Sequence, residues 1–196
     1  MKSKDWLNRQ KNDFYVKKAR KQGYLSRAAY KLIEKQKKFN ILKQSENLLE
    51  FGAAPGGWSQ VALEINPKIQ ITAIDLLELK INHPQIKFYK EDFLKFNYDK
   101  IEKQFDLIVS DIAPNTTGHK STDHLRISSM IFEIVNLLDK LMIKRGVFVT
   151  KIWKGSDEKD LINLLKNKFK EVSYFKPDSS RKDSAEIFIV AENFNL

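Results

Sequence analysis

The chain has 196 residues, 42% of them hydrophobic, and a formal net charge of +10. This length suits a single α/β domain with a full hydrophobic core, and the absence of cysteine excludes disulfides, thiolate metal sites and a cysteine nucleophile. No apolar run approaches the ~18 residues of a membrane span, and residues 1–13 lack the apolar core of a secretory signal, so we expect an intracellular protein.

The positive charge is concentrated at the N-terminus. Residues 1–45 contain 14 of the 35 Lys and Arg residues but only 3 of the 25 Asp and Glu residues. Aromatic residues lie among these lysines, a composition that suits a polyanion such as RNA. A lysine-rich solvated tail is the alternative explanation. We therefore expect one domain spanning residues 1–196, with a basic N-terminal segment at residues 1–45.

Two helices are predicted before the first strand. The first spans residues 13–21 and ends before Gly23, and the second runs from an N-cap at Ser26 to about Phe39. Apolar residues at helical spacing predict that one face of the second helix packs against the core. Lys31 lies on this helix, and the local sequence alone indicates one more surface lysine.

A glycine-rich loop follows the first predicted strand. The apolar run at residues 48–51 stops at Gly52, and helix-like spacing resumes at Ser59, which is the unit in which α/β proteins hold a nucleotide-like cofactor. Because Gly52, Gly56 and Gly57 have no Cβ, we expect a ligand to approach the backbone there. The loop matches neither G-x-G-x-x-G nor G-x-x-x-x-G-K-[ST], which favours an adenosine ligand over a dinucleotide or a triphosphate.

Two later strands are predicted to end at a carboxylate. Residues 70–75 end at Asp75, where an acid is placed to accept hydrogen bonds from both ribose hydroxyls of an adenosine cofactor. An acid that caps the next helix is the alternative. Residues 105–110 end at Asp111, on the edge of the sheet where ligands of α/β proteins collect. A charge that ends a buried strand is costly unless it is paired.

The rest of the chain continues the alternation of strands and helices, which indicates an α/β fold. Lys151 lies near the end of a strand predicted at residues 146–152, and a lysine in such an apolar run is a functional candidate. The three histidines are interpreted as facing solvent, and no metal site is predicted. The other predicted elements are strands at residues 86–90, 171–175 and 184–191, a helix at residues 124–144 whose apolar face includes Leu125, and a helix at residues 155–169.

Residues 50–60, Glu-Phe-Gly-Ala-Ala-Pro-Gly-Gly-Trp-Ser-Gln, resemble the S-adenosylmethionine loop of the FtsJ/RrmJ family of RNA ribose 2′-O-methyltransferases. Residues 26–32, 91–93, 110–115 and 177–181 resemble further motifs of that family in the same order, so the resemblance covers about residues 13–192. It implies a Rossmann-like methyltransferase fold, with a seven-stranded, mostly parallel sheet, an antiparallel last strand and helices on both faces. It also implies S-adenosylmethionine as cofactor, bound by Gly52, Ala54, Pro55, Gly56, Gly57, Trp58, Asp75, Asp92, Phe93 and Asp111.

The resemblance also places four residues at the positions of the family's catalytic Lys-Asp-Lys-Glu tetrad: Lys31, Asp111, Lys151 and Glu186. Methyl transfer from a sulfonium to a ribose hydroxyl is an in-line displacement that needs no metal, but the hydroxyl needs a base within reach. A free lysine has a pKa of ~10.4, and burial or a neighbouring cation lowers such a pKa. We interpret Lys151 as the general base and Asp111 as the residue that positions it. Lys31 and Glu186 would orient the target ribose and Lys151.

The resemblance implies 2′-O-methylation of a ribose, at a uridine, in large-subunit ribosomal RNA, with that RNA or the large ribosomal subunit as partner. Family members that act on tRNA or on mRNA caps share the tetrad and are the alternatives. A non-catalytic RNA-binding protein is disfavoured by the intact tetrad, and a NAD-linked enzyme by the missing G-x-G-x-x-G. We expect a monomer in the cytoplasm, with the nucleolus or an organelle as alternative compartments, and the basic segment beside the tetrad.

Overall fold

The computed structural model describes residues 12–113, 118–153, 155, 158–181 and 184–195. Pro114 and Asn115 of the predicted motif, and Lys11 of the basic segment, lie outside these residues. Within the described ranges, no helix combines the length and apolar character needed to cross a membrane. The elements in chain order are α1 (Phe14–Gln22), α2 (Ala28–Phe39), β1 (Asn47–Phe51), α3 (Gly57–Ile65), β2 (Gln70–Ile74), β3 (Ile86–Tyr89), a 3₁₀ turn (Tyr98–Lys100), β4 (Phe105–Ser110), α4 (Lys120–Leu141), β5 (Met142–Trp153), α5 (Glu158–Lys168), β6 (Phe169–Phe175) and β7 (Glu186–Phe194).

The strands form one sheet in the order β3-β2-β1-β4-β5-β7-β6. Strands β1 to β5 are parallel, and β7 pairs antiparallel with both β5 and β6. This confirms the seven-stranded, mostly parallel sheet with an antiparallel last strand. The chain leaves β1 toward β2 on one side and reaches β4 on the other, so a crevice forms outside the carboxyl ends of β1 and β4, where such sheets bind ligands.

Helices cover both faces of the sheet, as expected. Leu48 of β1 packs in one core with residues of α2 and α3, such as Leu32 and Val61. The neighbouring Leu49 points to the other face and packs in a second core with residues of α4 and α5. Alternate residues of β1 are therefore buried on opposite faces, which explains why this strand reads as a continuous apolar run.

Helix α1 is fixed at both ends. The Asp13 side chain accepts hydrogen bonds from the main-chain N–H groups of Tyr15 and Val16, and Gly23 ends the helix in the left-handed conformation with φ of 78°. The Asp13 carboxylate also pairs with Arg27, which precedes α2, and lies 3.1 Å from Arg181 Nε. These contacts tie α1 to α2 and to the segment after β6.

Several element boundaries and one cap differ from the sequence-based expectations. Helix α4 ends at Leu141 rather than at residue 144, because Met142 pairs with Phe105 and extends β5. Helix α5 begins at Glu158 and β6 already begins at Phe169. Ser26 does not cap α2, which begins at Ala28 with no side-chain hydrogen bond to its first turn.

Two side-chain placements on α4 were also predicted wrongly. Leu125 is 59% exposed and lies off the buried face, which Ile127, Ile131 and Ile134 form. His124 is half-buried rather than solvent-facing, and its Nδ1 lies 3.2 Å from Ser128 Oγ. Among the described residues, no group of three or more His, Cys, Asp or Glu side chains is arranged to hold a metal ion.

Candidate active site

A pocket of about 310 Å³ opens at the carboxyl ends of β1, β2 and β4. Its volume lies in the range of small-molecule sites. Four of its lining residues are acidic, and none of those in the described part of the chain is a lysine or an arginine. It brings together six of the residues that the sequence assigns to the cofactor: Gly52, Ala54, Asp75, Asp92, Phe93 and Asp111.

Main-chain hydrogen bonds orient the two carboxylates expected to meet the adenosine. Asp75 accepts one from Ala54 N at 2.8 Å and another from Leu77 N at 2.8 Å, one on each oxygen. Asp92 accepts one from Leu94 N at 3.0 Å. Each carboxylate oxygen can accept more than one hydrogen bond, so both side chains are fixed in place and still able to bind a ligand's N–H or O–H groups.

The other four loop residues assigned to the cofactor, Pro55, Gly56, Gly57 and Trp58, do not line this pocket. A Cβ on Gly56 would lie 2.6 Å from Ile81 Cγ2, and one on Gly57 would lie 2.3 Å from Ser26 Oγ. Trp58 is only 2% exposed, and its indole N–H donates to the Ala28 carbonyl at 2.7 Å. Gly56 and Gly57 therefore pack closely against other segments of the protein, and the ligand approach expected at these two glycines stays a prediction.

The four tetrad residues meet at one point although they come from four parts of the chain. Lys151 Nζ lies 3.0 Å from Asp111 Oδ1 and donates to the Asp111 main-chain carbonyl at 2.7 Å. Lys31 Nζ lies 2.8 Å from Glu186 Oε2 and 3.8 Å from Asp111 Oδ1. The first turn of α2, the ends of β4 and β5 and the start of β7 supply these groups, so the sheet topology assembles the cluster.

The charges in this cluster stabilise each other. Burial acts to raise the pKa of Asp111, but the cations of Lys151 and Lys31 outweigh it and hold the pKa at about 2. Burial likewise acts to raise the pKa of Glu186, and the ion pair with Lys31 more than compensates, so the net shift is downward. Both carboxylates therefore stay ionised across the physiological pH range.

A smaller polar pocket of about 160 Å³ adjoins the tetrad away from the cofactor pocket. Lys31 and Glu186 line it together with Arg27 and Arg181. Ser180 donates to Glu186 Oε1 at 2.7 Å and so fixes the carboxylate whose other oxygen binds Lys31. Asp111 lines one pocket while Lys31 and Glu186 line the other, which places the tetrad between an acidic pocket and a basic one.

The sequence analysis missed two buried ionisable groups near the site. Lys35 is fully buried, and its Nζ lies 3.2 Å from the centre of the Phe188 ring and 4.4 Å from that of Trp58. Burial lowers its pKa well below the ordinary lysine value. The sequence did contain a signal that Lys35 is buried. Lys35 is four residues after Lys31 and three after Leu32, which places it on the buried stripe of α2.

Glu50 is the second missed group. It is 2% exposed and accepts a hydrogen bond from Ser59 Oγ at 2.6 Å. Burial raises its pKa to about 8, despite the opposing effect of the hydrogen bond. An acid in the middle of an apolar strand was the available signal.

Comparisons with known proteins agree with this geometry. The family profile described as FtsJ-like methyltransferase matches residues 24–194. Two similar proteins are named ribosomal RNA large subunit methyltransferase E. The one from Rickettsia bellii is 41% identical over 97% of this chain and 88% of its own length. The one from Zymomonas mobilis is 42% identical over 96% of this chain and 87% of its own length.

Solved structures resemble the chain in fold. A crystal structure provisionally described as a ribosomal RNA methyltransferase from Plasmodium falciparum is 30% identical with a TM-score of 0.75, over 87% of this chain and 98% of that one. A fibrillarin/Nop5p complex matches at 21% identity and a TM-score of 0.58, over 76% of this chain and 73% of that one, a likeness of fold alone.

Proposed function

The chain belongs to the FtsJ-like methyltransferase family, and from this membership we propose that it transfers a methyl group from S-adenosylmethionine to a ribose 2′-hydroxyl of large-subunit ribosomal RNA. The observation that carries this proposal is the ion-paired cluster of Lys31, Asp111, Lys151 and Glu186 between two pockets. Burying four charged side chains costs free energy, and RNA binding alone does not require such a buried cluster.

The acidic pocket fits S-adenosylmethionine. Asp75 would accept hydrogen bonds from the ribose hydroxyls, Asp92 from the adenine amino group, and Phe93 would lie against the ring. The lining is acidic and, in the part of the chain that the structure describes, has no lysine or arginine, which suits a positively charged nucleoside better than a phosphorylated one. When bound, S-adenosylmethionine supplies a methyl group already activated by its sulfonium.

The protein's contribution is to place and deprotonate the hydroxyl. As general base, Lys151 Nζ would first release its own proton to solvent and then take the proton of the 2′-hydroxyl as that oxygen attacks the methyl group that bound S-adenosylmethionine would supply. Asp111 holds Lys151 Nζ through both its carboxylate and its carbonyl. Lys31 and Glu186 orient the ribose from the basic pocket. A base of this kind contributes roughly 10²–10⁴ in rate, and alignment of the reacting atoms supplies much of the remainder.

The names of the relatives favour large-subunit ribosomal RNA over tRNA and mRNA caps. The alignments with this chain cover 88% and 87% of the length of those relatives. We propose uridine as the modified nucleotide and the compartment of the ribosomes as the place of action. Those relatives are bacterial proteins, which supports the cytoplasm rather than a nucleolus.

The substrate is tested by offering labelled S-adenosylmethionine with ribosomal particles, naked ribosomal RNA and tRNA in parallel. We expect label on a ribose 2′-oxygen of large-subunit RNA, identified after digestion to nucleosides. Label confined to tRNA would keep the chemistry and contradict the substrate. Cofactor binding without label on any acceptor would contradict the enzymatic function.

A further inference from the structure

A separate pocket of about 340 Å³ lies between α1 and α2. Its walls include three tyrosines, Tyr15, Tyr24 and Tyr30, and two lysines, Lys18 and Lys37. None of these five residues belongs to the tetrad or lines the cofactor pocket, so methyl transfer itself gives them no role. We call this cavity the tyrosine pocket.

The rings of the tyrosine pocket are held in fixed orientations. The Tyr30 ring centre lies 5.3 Å from that of Tyr15 and 5.7 Å from that of Tyr24. The Tyr24 hydroxyl donates to Glu64 at 2.8 Å, and the Tyr30 hydroxyl donates to the side-chain oxygen of Gln22. Tyr15 and Tyr24 remain partly exposed. Preorganised rings with open surface lower the cost of binding a flat ligand.

The lining of the pocket balances its two lysines with Glu34 and Asp178, and the helix beside it is basic. Helix α1 carries Lys17, Lys18, Arg20 and Lys21 and no acidic residue. Lys18 Nζ lies 4.7 Å from the centre of the Tyr30 ring, and the adjoining Phe14 is 68% exposed. Lysines beside aromatic faces are how proteins bind single-stranded nucleic acid, because the bases stack and the phosphates meet the cations. An acidic peptide would use the lysines but not the rings.

The acidic residues of the pocket connect it to the tetrad. Glu34 accepts hydrogen bonds from the main-chain N–H groups of Asp178 at 2.6 Å and Ser179 at 3.0 Å. The next residue, Ser180, holds Glu186. Two residues of chain span at most about 7 Å, so the wall of the tyrosine pocket at Asp178 lies close to the group that orients the target ribose.

We propose that the tyrosine pocket binds an unpaired base of the RNA strand close to the nucleotide whose ribose is methylated. The base stacks on the Tyr15 and Tyr24 rings, and Lys18 and Lys37 bind the flanking phosphates. The inference rests on the proposed function, because it takes the RNA at the tetrad as its starting point. The pocket then contributes to RNA affinity and to the choice of site, not to the chemical step.

The first test compares Tyr15→Leu with Tyr174→Leu, a tyrosine that is 44% exposed on β6. We expect Tyr15→Leu to raise KM for RNA roughly fivefold or more, the effect of losing one stacking partner. The kcat at saturating RNA and the affinity for S-adenosylmethionine should stay within twofold, and Tyr174→Leu should behave as wild type. A folded Tyr15→Leu protein with an unchanged KM for RNA would overturn the inference.

A second test uses the wild-type protein and so does not depend on the folding of a variant. Ultraviolet cross-linking to the RNA acceptor, followed by mass spectrometry, should find a nucleotide on Tyr15, Tyr24 or Tyr30. If the protein methylates the RNA but its cross-links are confined to other surfaces, RNA binding by the tyrosine pocket is contradicted and the proposed function is not. If cross-links form in the tyrosine pocket but no RNA is methylated, RNA binding by the pocket is supported and the proposed function is contradicted.

Discussion

Asp75 has both carboxylate oxygens bound to main-chain N–H groups, at Ala54 and Leu77, so its orientation is set before any ligand arrives. Asp75→Asn replaces one acceptor oxygen by a donor and removes the charge. We expect the affinity for S-adenosylmethionine to fall about tenfold or more, because hydrogen bonds to charged groups contribute about 1.5–3 kcal/mol each. Isothermal titration measures this directly, with the exposed Asp99→Asn as the matched control. Equal affinities of the two variants would contradict the assignment.

Glu50 predicts an unusual pH dependence of stability. Burial raises its pKa to about 8, so between the ordinary value near 4.5 and pH 8 the folded protein holds a proton that the unfolded chain has released. Stability from this group is therefore fully present below pH 4.5 and is lost as the pH rises through 8. Glu50→Gln is neutral throughout, so its stability relative to wild type should increase with pH in this window.

The difference between wild type and Glu50→Gln should change by at most about 1.4 kcal/mol per pH unit. Urea unfolding at pH 5, 7 and 9 measures it, and the exposed Glu133→Gln serves as control. A difference that stays constant from pH 5 to pH 9 would show that Glu50 does not titrate as its burial indicates.

At the scale of elements, the start of α3 is locked against the segment that enters α2. A Cβ on Gly57 would lie 2.3 Å from Ser26 Oγ but 3.4 Å from Ser26 Cβ. We therefore expect Gly57→Ala to destabilise the protein by about 1–3 kcal/mol through overpacking. The double variant Ser26→Ala/Gly57→Ala should recover most of this stability, and Ser26→Ala alone should change little. Thermal unfolding of the three variants tests whether the Ser26 hydroxyl causes the overpacking. A double variant no more stable than Gly57→Ala would show that the strain lies elsewhere.

The elements were the part of the fold that could best be predicted from the sequence. Strand β4 was predicted with its observed bounds, because the apolar run of residues 105–110 ends abruptly at Asp111. The end of α4 was not predicted correctly, because residues 142–144 continue a helical pattern. The pairing of Met142 with Phe105 ends the helix earlier. Local pattern shows which residues are buried, but it does not show the partner that ends one element and starts the next.

The same limit applies to the candidate site. The positions of Lys31, Asp111, Lys151 and Glu186 came from a family resemblance, and their convergence required the sheet order. Ser26 has the residue type of an N-cap, but its hydroxyl lies against Gly57, 31 residues away in sequence. The resemblance assigned Trp58 to the cofactor, which stays a prediction, and no local pattern indicated that its indole binds the Ala28 carbonyl. Contacts distant in sequence decided these roles, and one sequence does not contain them.

At the scale of the whole molecule, the charge distribution predicts where RNA approaches. Helix α1 is bound through Asp13 to Arg27 and Arg181 beside the tetrad, so we expect its exposed lysines to lie on the side of the active site. Lys17→Glu/Lys21→Glu should weaken RNA binding. The slope of log affinity against log salt should fall by about 0.7 for each phosphate that the variant no longer neutralises.

The control for this prediction changes the net charge equally at the opposite edge of the sheet. Lys43 and Lys68 lie near the starts of β1 and β2, so Lys43→Glu/Lys68→Glu should leave the salt dependence close to that of wild type. Binding is followed by filter retention or anisotropy between 50 and 200 mM salt. Equal weakening of RNA binding in the two double variants would mean that net charge, not its position, governs the affinity.

The most direct measurement is single-turnover methyl transfer to the RNA acceptor by Lys151→Met, with the exposed Lys38→Met as control. Methionine is an unbranched side chain one atom shorter than lysine, and it cannot accept the hydroxyl proton. We predict a rate roughly 10²–10⁴ lower than wild type at every pH tested, with S-adenosylmethionine affinity within twofold and Lys38→Met unaffected. A folded Lys151→Met enzyme that transfers the methyl group within a few-fold of the wild-type rate would contradict base catalysis by Lys151.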